Sequence, residues 1–403
     1  MDEPGGAARD GATGAVGSRV LDVAALEELF SVLRAAGYQV IGPTVRGGAI
    51  VLAELASAAE LPYGTGVELA PGGYRLTERA DGAAFAHSAG PQSWKTYLHL
   101  PREKLWSARR DAGELDVRPP GQEQAGGQRP MAFVGVRPCD LRAIGILDQV
   151  LGSGAHARSR YAARRASVFI VAVNCTEPGA TCFCASMSTG PKAGDGYDLA
   201  LTELVAAEGG HRFVVDVGSA AGAEVLAAVP SSPADDLTEN LARSAVEQAA
   251  ERMGRSMPAD VLHGLMAGSY EAARWDDVAQ RCLTCGNCTM ACPTCFCTTV
   301  EDVTDLSGEH AERWQLWDSC FSLSFSYLPG GPVRASDRSR YRQWLTHKLG
   351  TWHDQFGSSG CVGCGRCIVW CPVGIDLTEE VAALQAEAAQ RAAPEAGPVG
   401  GRS

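Results

Sequence analysis

Two stretches of the sequence are apolar throughout and have the length of a strand. They are MAFVGV, from Met131 to Val136, and SVFIVAV, from Ser167 to Val173. Continuous apolar runs of this length are typical of strands that are covered on both faces. Between them, apolar residues recur at helical spacing after Asp140: Leu141, Ile144, Leu147 and Leu151. The pattern predicts two parallel strands joined by a crossover helix.

The segment before these strands combines one helix with shorter strands. Ser18 is a plausible N-cap for an amphipathic helix that ends at Gly37. Strand-like runs follow at residues 38–41 and 49–52. This order of elements predicts an N-terminal α/β domain with a mixed sheet.

After about Pro233 the strand signals fade and helical patterns cover residues 237–252 and 259–280. The overall prediction is an α+β fold with four segments. They are a disordered N-terminus (1–18), an α/β domain (19–233), a helical domain (234–390) and a disordered tail (391–403).

The cysteine content changes this picture, because the chain has 15 cysteines among 403 residues. A chain of this length buries its own core and does not need disulfides for stability. No run of about 18 apolar residues and no signal peptide occurs, so we expect a cytoplasmic protein with reduced thiols and no membrane contact. The formal charge of −12 disfavours nucleic acid as a partner.

Two copies of the motif C-x2-C-x2-C-x3-C-P stand in the C-terminal part. This spacing is typical of 4Fe-4S ligation, and in two-cluster proteins the fourth cysteine of each copy ligates the other cluster. The first cysteine set is therefore Cys282, Cys285, Cys288 and Cys371. The second cysteine set is Cys361, Cys364, Cys367 and Cys292.

Zinc and disulfides are the alternatives for these eight cysteines. Zinc sites typically use two separated C-x2-C pairs, which leaves the third cysteine and the C-P of each motif without a role. Residues 293–360 separate the two copies and include a strongly helical stretch. The long insert resembles helical dicluster ferredoxin domains rather than the small β-rich ferredoxins.

A third cysteine set lies in the predicted α/β domain and consists of Cys139, Cys175, Cys182 and Cys184. Cys139 and Cys175 follow the two apolar strands, so both reach the same edge of a parallel sheet, where ligands usually bind. The helix that begins near Cys139 stabilises a thiolate or an anionic cluster. We predict a third 4Fe-4S cluster here; the alternative is a group of buried thiols. Of the remaining cysteines, either Cys295 or Cys297 could replace Cys292 as a ligand, but packing is the favoured role of both, and Cys320 is assigned to the core.

Several of these segments together resemble a known family. They are GVRPCDLRAIGILD, NCTEPGATCFCASMSTGP, RCLTCGNCTMACPTCFC and CVGCGRCIVWCPVGID. The likeness is to the iron-sulfur β subunit of cytosolic NADP-linked nickel-iron hydrogenases of the sulfhydrogenase type. The same motifs also occur in the electron-transfer subunit of anaerobic sulfite reductase.

The resemblance implies an electron-transfer subunit without catalytic residues of its own. Its partners would be a flavin subunit that exchanges hydride with NADP(H) and the small and large subunits of a nickel-iron hydrogenase. Neither G-x-G-x-x-G after a strand nor a P-loop occurs, so we expect no flavin or nucleotide on this chain alone. Two alternatives remain open: the sulfite reductase subunit, with a sirohaem partner, and a zinc-bound scaffold without redox activity.

Overall fold

The computed structural model describes residues 17–88, 90–111, 113–119, 129–154, 157–206 and 210–392. Most of the two predicted disordered ends, residues 1–16 and 393–403, lies outside the described residues. The strands are β1 (Arg19–Asp22), β2 (Gln39–Arg46), β3 (Ala49–Glu54), β4 (Thr65–Ala70), β5 (Gly73–Glu78), β6 (Arg102–Asp111), β7 (Glu114–Arg118), β8 (Met131–Val136), β9 (Val168–Val173), β10 (Leu199–Val205), β11 (His211–Val217), β12 (Ser232–Pro233), β13 (Thr298–Thr304), β14 (His310–Trp317), β15 (Tyr327–Leu328) and β16 (Gly331–Pro332).

The helices alternate with these strands in the first half of the chain and dominate the second half. The α-helices are α1 (Val23–Ala35), α2 (Lys95–Leu98), α3 (Pro138–Leu151), α4 (Ser159–Ala166), α5 (Ala220–Ala227), α6 (Asp236–Glu251), α7 (Leu262–Gly268), α8 (Arg274–Arg281), α9 (Asn287–Ala291), α10 (Asp337–Thr346), α11 (Trp352–Phe356), α12 (Arg366–Val369) and α13 (Leu377–Ala392). Single turns of 3-10 helix occupy Ala58–Glu60 and Ala259–Val261, and a π-helical turn occupies His347–Thr351.

An eight-stranded mixed sheet forms the centre of the first half, in the order β12-β1-β11-β10-β9-β8-β2-β3. The four central strands, β10, β9, β8 and β2, are parallel to one another, and the outer pairs are antiparallel. The predicted parallel pair of apolar strands is confirmed, since β8 and β9 are direct neighbours with Phe133 opposite Ile170. The α+β prediction with a mixed sheet is confirmed as well.

Both faces of this sheet are covered, which explains the continuous apolar runs. Val134 and Val171 point into a core that they share with the apolar face of α1. Phe133 and Ile170 point the other way, into a core with the apolar face of α3. Because successive side chains of a strand alternate between the faces, every residue of such a strand must be apolar.

The first helix begins later than predicted. Arg19–Asp22 form β1, which pairs with β11, and the Asp22 carboxylate accepts a hydrogen bond from the amide of Ala25 at 2.7 Å. Asp22 is therefore the N-cap, and Ser18 precedes the strand. The predicted helix over 259–280 is also divided, into a 3-10 turn, α7 and α8.

A second sheet, in the order β13-β14-β6-β7, joins strands from both sides of residue 233. The hairpin of β13 and β14 lies in the insert between the cysteine motifs, and β14 pairs with β6. The sequence patterns indicated no strands in this insert. The division into domains at residue 233 stays a prediction, and the two halves share this sheet.

The second half has a helical core of its own. Trp275, Tyr341, Trp344 and Leu384 are buried there together with several cysteines. Within the described residues, each helix is too short or too polar to cross a lipid bilayer. The helices α8, α9, α10 and α12 hold the two loops that carry the cysteine motifs.

Candidate iron-sulfur centres

The first cysteine set lines one pocket. Cys282, Cys285 and Cys288 come from the end of α8, the loop after it and α9, and Cys371 comes from the second motif. The pocket has about 450 Å³ of empty space, its mouth included, and Phe321, Tyr341 and Trp344 also line it. Backbone amides point at the sulfurs: Thr284 N lies 3.4 Å from Cys282 Sγ, and Ile375 N lies 3.3 Å from Cys371 Sγ. Hydrogen bonds of this kind tune sulfur ligands of iron.

The second cysteine set is gathered more deeply in the protein. Cys361 and Cys364 are buried, and burial raises the pKa of Cys361 to about 12 although Lys348 opposes the rise. Burial also raises the pKa of Cys367, with further contributions from the neighbouring thiols of Cys361, Cys364 and Cys292. The motif spacing and the fold thus bring together the four residues that the sequence assigned to one cluster.

A buried lysine contacts this second set. The Lys348 ammonium donates to Cys292 Sγ at 3.3 Å, to Thr294 Oγ1 at 2.9 Å and to the carbonyl of Gly360 at 3.1 Å. Burial opposes its charge, yet Cys292, Cys295 and Cys361 hold the pKa of Lys348 well above its usual value. Lys348 stands in the π-helical turn, a feature that often marks functional sites.

The third cysteine set lies at the carboxyl ends of β8 and β9, as predicted from the two apolar runs. Cys139 is in the first turn of α3, and Cys175 is the second residue after β9. Burial raises the pKa of Cys182 to about 12, and the nearby thiols of Cys175 and Cys364 add to the rise. Burial likewise raises the pKa of Cys184, and the thiols of Cys175 and Cys182 add to the rise.

These sites fit anionic clusters better than free thiols. Lys348 is 4% exposed, and its charge faces cysteine sulfur rather than a carboxylate among the described residues. In the third set, the buried Arg137 guanidinium lies near Cys175 and lowers the pKa of its thiol against the effect of burial. A buried cation needs a nearby anion. Thiolates bound to iron supply that anion, whereas neutral thiols do not.

The second and third sets are in direct contact through their loops. Phe183 N donates to the carbonyl of Gly363 at 2.9 Å, and Thr189 Oγ1 donates to that of Val362 at 2.7 Å. Gly363 has a φ of +65°, and a Cβ there would lie 2.7 Å from both Cys184 N and Cys184 Cα. A glycine at this position is what allows the two cysteine loops to approach so closely.

Gly363→Ala is therefore expected to destabilise the protein more than an ordinary glycine substitution. The left-handed conformation alone costs about 1–2 kcal/mol for a residue with a side chain. Gly357 is the matched control, because its φ is +67° but no atom lies within 4 Å of a Cβ built there. Thermal unfolding of both variants measures the difference. Equal losses for Gly363→Ala and Gly357→Ala would contradict the backbone contact.

The structure also gathers the three cysteines that the sequence analysis assigned to packing. Cys320 lies near Cys297, and Cys295 lies near Cys292. Cys320 also lies near Cys288 of the first set. The C-x-C spacing of Cys295 and Cys297 was the available signal in the sequence; the approach of Cys320 was not predictable from its own surroundings.

Comparisons with known proteins agree with the geometry. Residues 281–375 match a family described as a 4Fe-4S dicluster domain. The chain is 34% identical to sulfhydrogenase 2 subunit beta of Pyrococcus furiosus over 284 residues, which are 69% of this chain and 80% of that protein. No solved structure matches the chain. The first two cysteine sets lie within the matched region.

Proposed function

Because the chain belongs to the family of sulfhydrogenase β subunits, we propose that it relays single electrons between a flavin subunit that exchanges hydride with NADP(H) and a nickel-iron module. The chain is an iron-sulfur electron-transfer subunit of an oxidoreductase. The observation that carries the proposal is the continuous series of cysteine sets. A bound 4Fe-4S cluster takes up and releases one electron, at a potential set by charge, hydrogen bonds and exposure.

The three sets follow one another without a gap. Cys139 and Cys184 of the third set both interact with Cys364 of the second. Cys367 of the second set interacts in turn with Cys288 of the first. These twelve cysteines hold three 4Fe-4S clusters in this proposal, one for each set. The order third, second, first gives a path from the mixed sheet to the surface of the helical half.

The first set supplies a surface where an electron partner docks. Cys285 is exposed, and Leu283 beside it in the same loop is 61% exposed. Val373 lines the same pocket and is also exposed. Exposed apolar side chains beside a redox centre are suited to a protein contact that excludes water. The other two sets are largely buried, so we assign partner docking near a cluster to the first set.

Anaerobic purification of the native complex tests the proposed partners. We expect this chain to copurify with nickel and flavin, and its iron-sulfur signals to be reduced by either NADPH or hydrogen. A complex that contains sirohaem in place of nickel would contradict the proposal in favour of a sulfite reductase subunit. A colourless chain with stoichiometric zinc would contradict any redox function.

The third cluster has its own test in Cys182→Ser. We expect this variant to lose about four irons per chain, because one ligand of one cubane is removed. Thr176→Ala, beside Cys175, is the control and should retain the iron content of the native chain. Iron and sulfide analysis of the anaerobically purified chains measures the loss. Full iron content in Cys182→Ser would count against the third cluster.

A further inference from the structure

The three cysteines outside the predicted sets surround one small region beside the helical core. Asp318 N donates to the carbonyl of Cys297 at 2.9 Å, which fixes the end of β14 against the CPTCFC segment. This contact brings Cys320 close to Cys297, and the two thiols interact. Cys295 is two residues away along the chain. We call Cys295, Cys297 and Cys320 the fourth cysteine group.

A second buried lysine stands beside this group. Lys95 is 3% exposed, and its ammonium donates to the carbonyls of Cys295 and Met290 at 3.0 and 3.4 Å. It also lies 4.1 Å from the centre of the Trp317 ring. The thiol with the largest charge interaction with Lys95 is that of Cys295, followed by Cys292 and Cys297. Among the described residues, no carboxylate pairs with this ammonium.

The two buried lysines lie in one region, and burial lowers the pKa of Lys95, so this side chain keeps its charge only with an anion nearby. Lys348 is compensated by Cys292, which belongs to the second set. Lys95 faces Cys295, which belongs to none of the three sets. An isolated buried ammonium is costly, and carbonyl dipoles offset only part of that cost. A second anion at the fourth cysteine group would balance the second cation.

From this arrangement we propose that Cys295, Cys297 and Cys320 are ligands of a further iron-sulfur centre. Three thiolates bind three iron atoms and supply the anion that Lys95 faces. The centre adjoins the first set at Cys288 and the second at Cys292, between the two dicluster-domain centres.

The proposal rests on the proposed function, because it assumes that the chain is loaded with iron-sulfur clusters. The test compares the full chain with Cys297→Ser and Cys320→Ser, each purified anaerobically. Ser322→Ala is the matched control, since Ser322 follows Cys320 closely and bonds only the Asp318 side chain and the backbone of the same turn. Two separate variants are used so that misfolding of one, seen by circular dichroism, leaves the other as the test.

We expect both serine variants to lose about three or four irons per chain while the signals of the first and second sets persist. Ser322→Ala should keep the native iron content. Iron and sulfide contents equal to those of the native chain in a folded serine variant would overturn the proposal. Loss of one zinc without loss of iron would overturn it as well. A native chain without any iron would instead refute the proposed function, so the two failures are distinguishable.

Discussion

Arg366→Met is expected to lower the stability of the chain by about 3–5 kcal/mol, because it leaves a buried carboxylate without its partner. The Arg366 guanidinium binds Asp140 through two hydrogen bonds of 2.7 and 2.9 Å, and both residues are only 3% exposed. Burial works against the charge of Arg366, but Asp140 and Cys364 hold the pKa of the guanidinium above its usual value. The change in the denaturant midpoint measures the effect.

The location of this ion pair makes the effect functional as well as structural. Arg366 follows Cys364 and precedes Cys367 of the second set, and Asp140 follows Cys139 of the third. The ion pair therefore holds the two cysteine loops together, although its residues are 226 positions apart in the sequence. We expect Arg366→Met to weaken the retention of iron by the third set.

An exposed ion pair provides the control for Arg366. Arg313 binds Asp302 through two hydrogen bonds of 2.6 Å, but both side chains are largely open to solvent. Arg313→Met should leave the denaturant midpoint nearly unchanged, because solvent screens an exposed ion pair. The double variant of Arg366→Met with Asp140→Asn should be less harmful than the sum of the single changes, because neither charge is then left unpaired. A loss in Arg366→Met no larger than that in Arg313→Met would contradict the assigned role.

The central strands were predictable because their burial leaves a direct trace in the sequence. β8 and β9 are apolar at every position. A strand that is covered on both faces needs such a sequence, because each of its side chains is buried. Their parallel pairing then places Cys139 and Cys175 at one edge. The first two cysteine sets were predictable for a different reason, since the ligand spacing of a cluster is local in the chain.

Features that depend on distant pairing were not predictable. β13 has the sequence TTVEDVT, which is mostly polar, and it is a strand because β14 pairs with it and with β6. Its side chains are largely exposed, so no apolar alternation marks it. The sequence analysis named Ser18 as the N-cap, whereas the structure uses Asp22, and both residue types cap helices well. The pairing of β1 with β11 decides between them, because it keeps residues 19–22 extended.

The two buried lysines were not predicted for the same reason, since their contacts join residues that are far apart in the chain. Lys348 lies 56 residues from Cys292, and Lys95 lies 200 residues from Cys295. A lysine in a helical segment normally indicates a solvent-facing side chain. Only the folded chain turns these two side chains inward, where Lys348 reaches the sulfur of Cys292 and Lys95 reaches the carbonyl of Cys295.

Lys348→Met is expected to lower the reduction potential of the cluster bound by the second set by up to about 130 mV. A hydrogen bond to a charged group contributes about 1.5–3 kcal/mol, and 1.4 kcal/mol corresponds to about 59 mV for one electron. The Lys348 ammonium donates to Cys292 Sγ at 3.3 Å and favours the more negative, reduced state of the cluster. Methionine has a similar length but no charge, so the reduced state loses this stabilisation. Redox titration followed by paramagnetic resonance measures the shift.

Two variants separate charge from packing at this position. Lys348→Arg keeps a cation beside Cys292 and should shift the potential far less than Lys348→Met. Lys104→Met removes a lysine that pairs with Glu312 on the second sheet and should leave every cluster potential unchanged. All three variants should retain their iron, because the cysteines are intact. A Lys348→Met protein with full iron content and the native potential would show that this buried cation does not influence the reduction potential of the cluster.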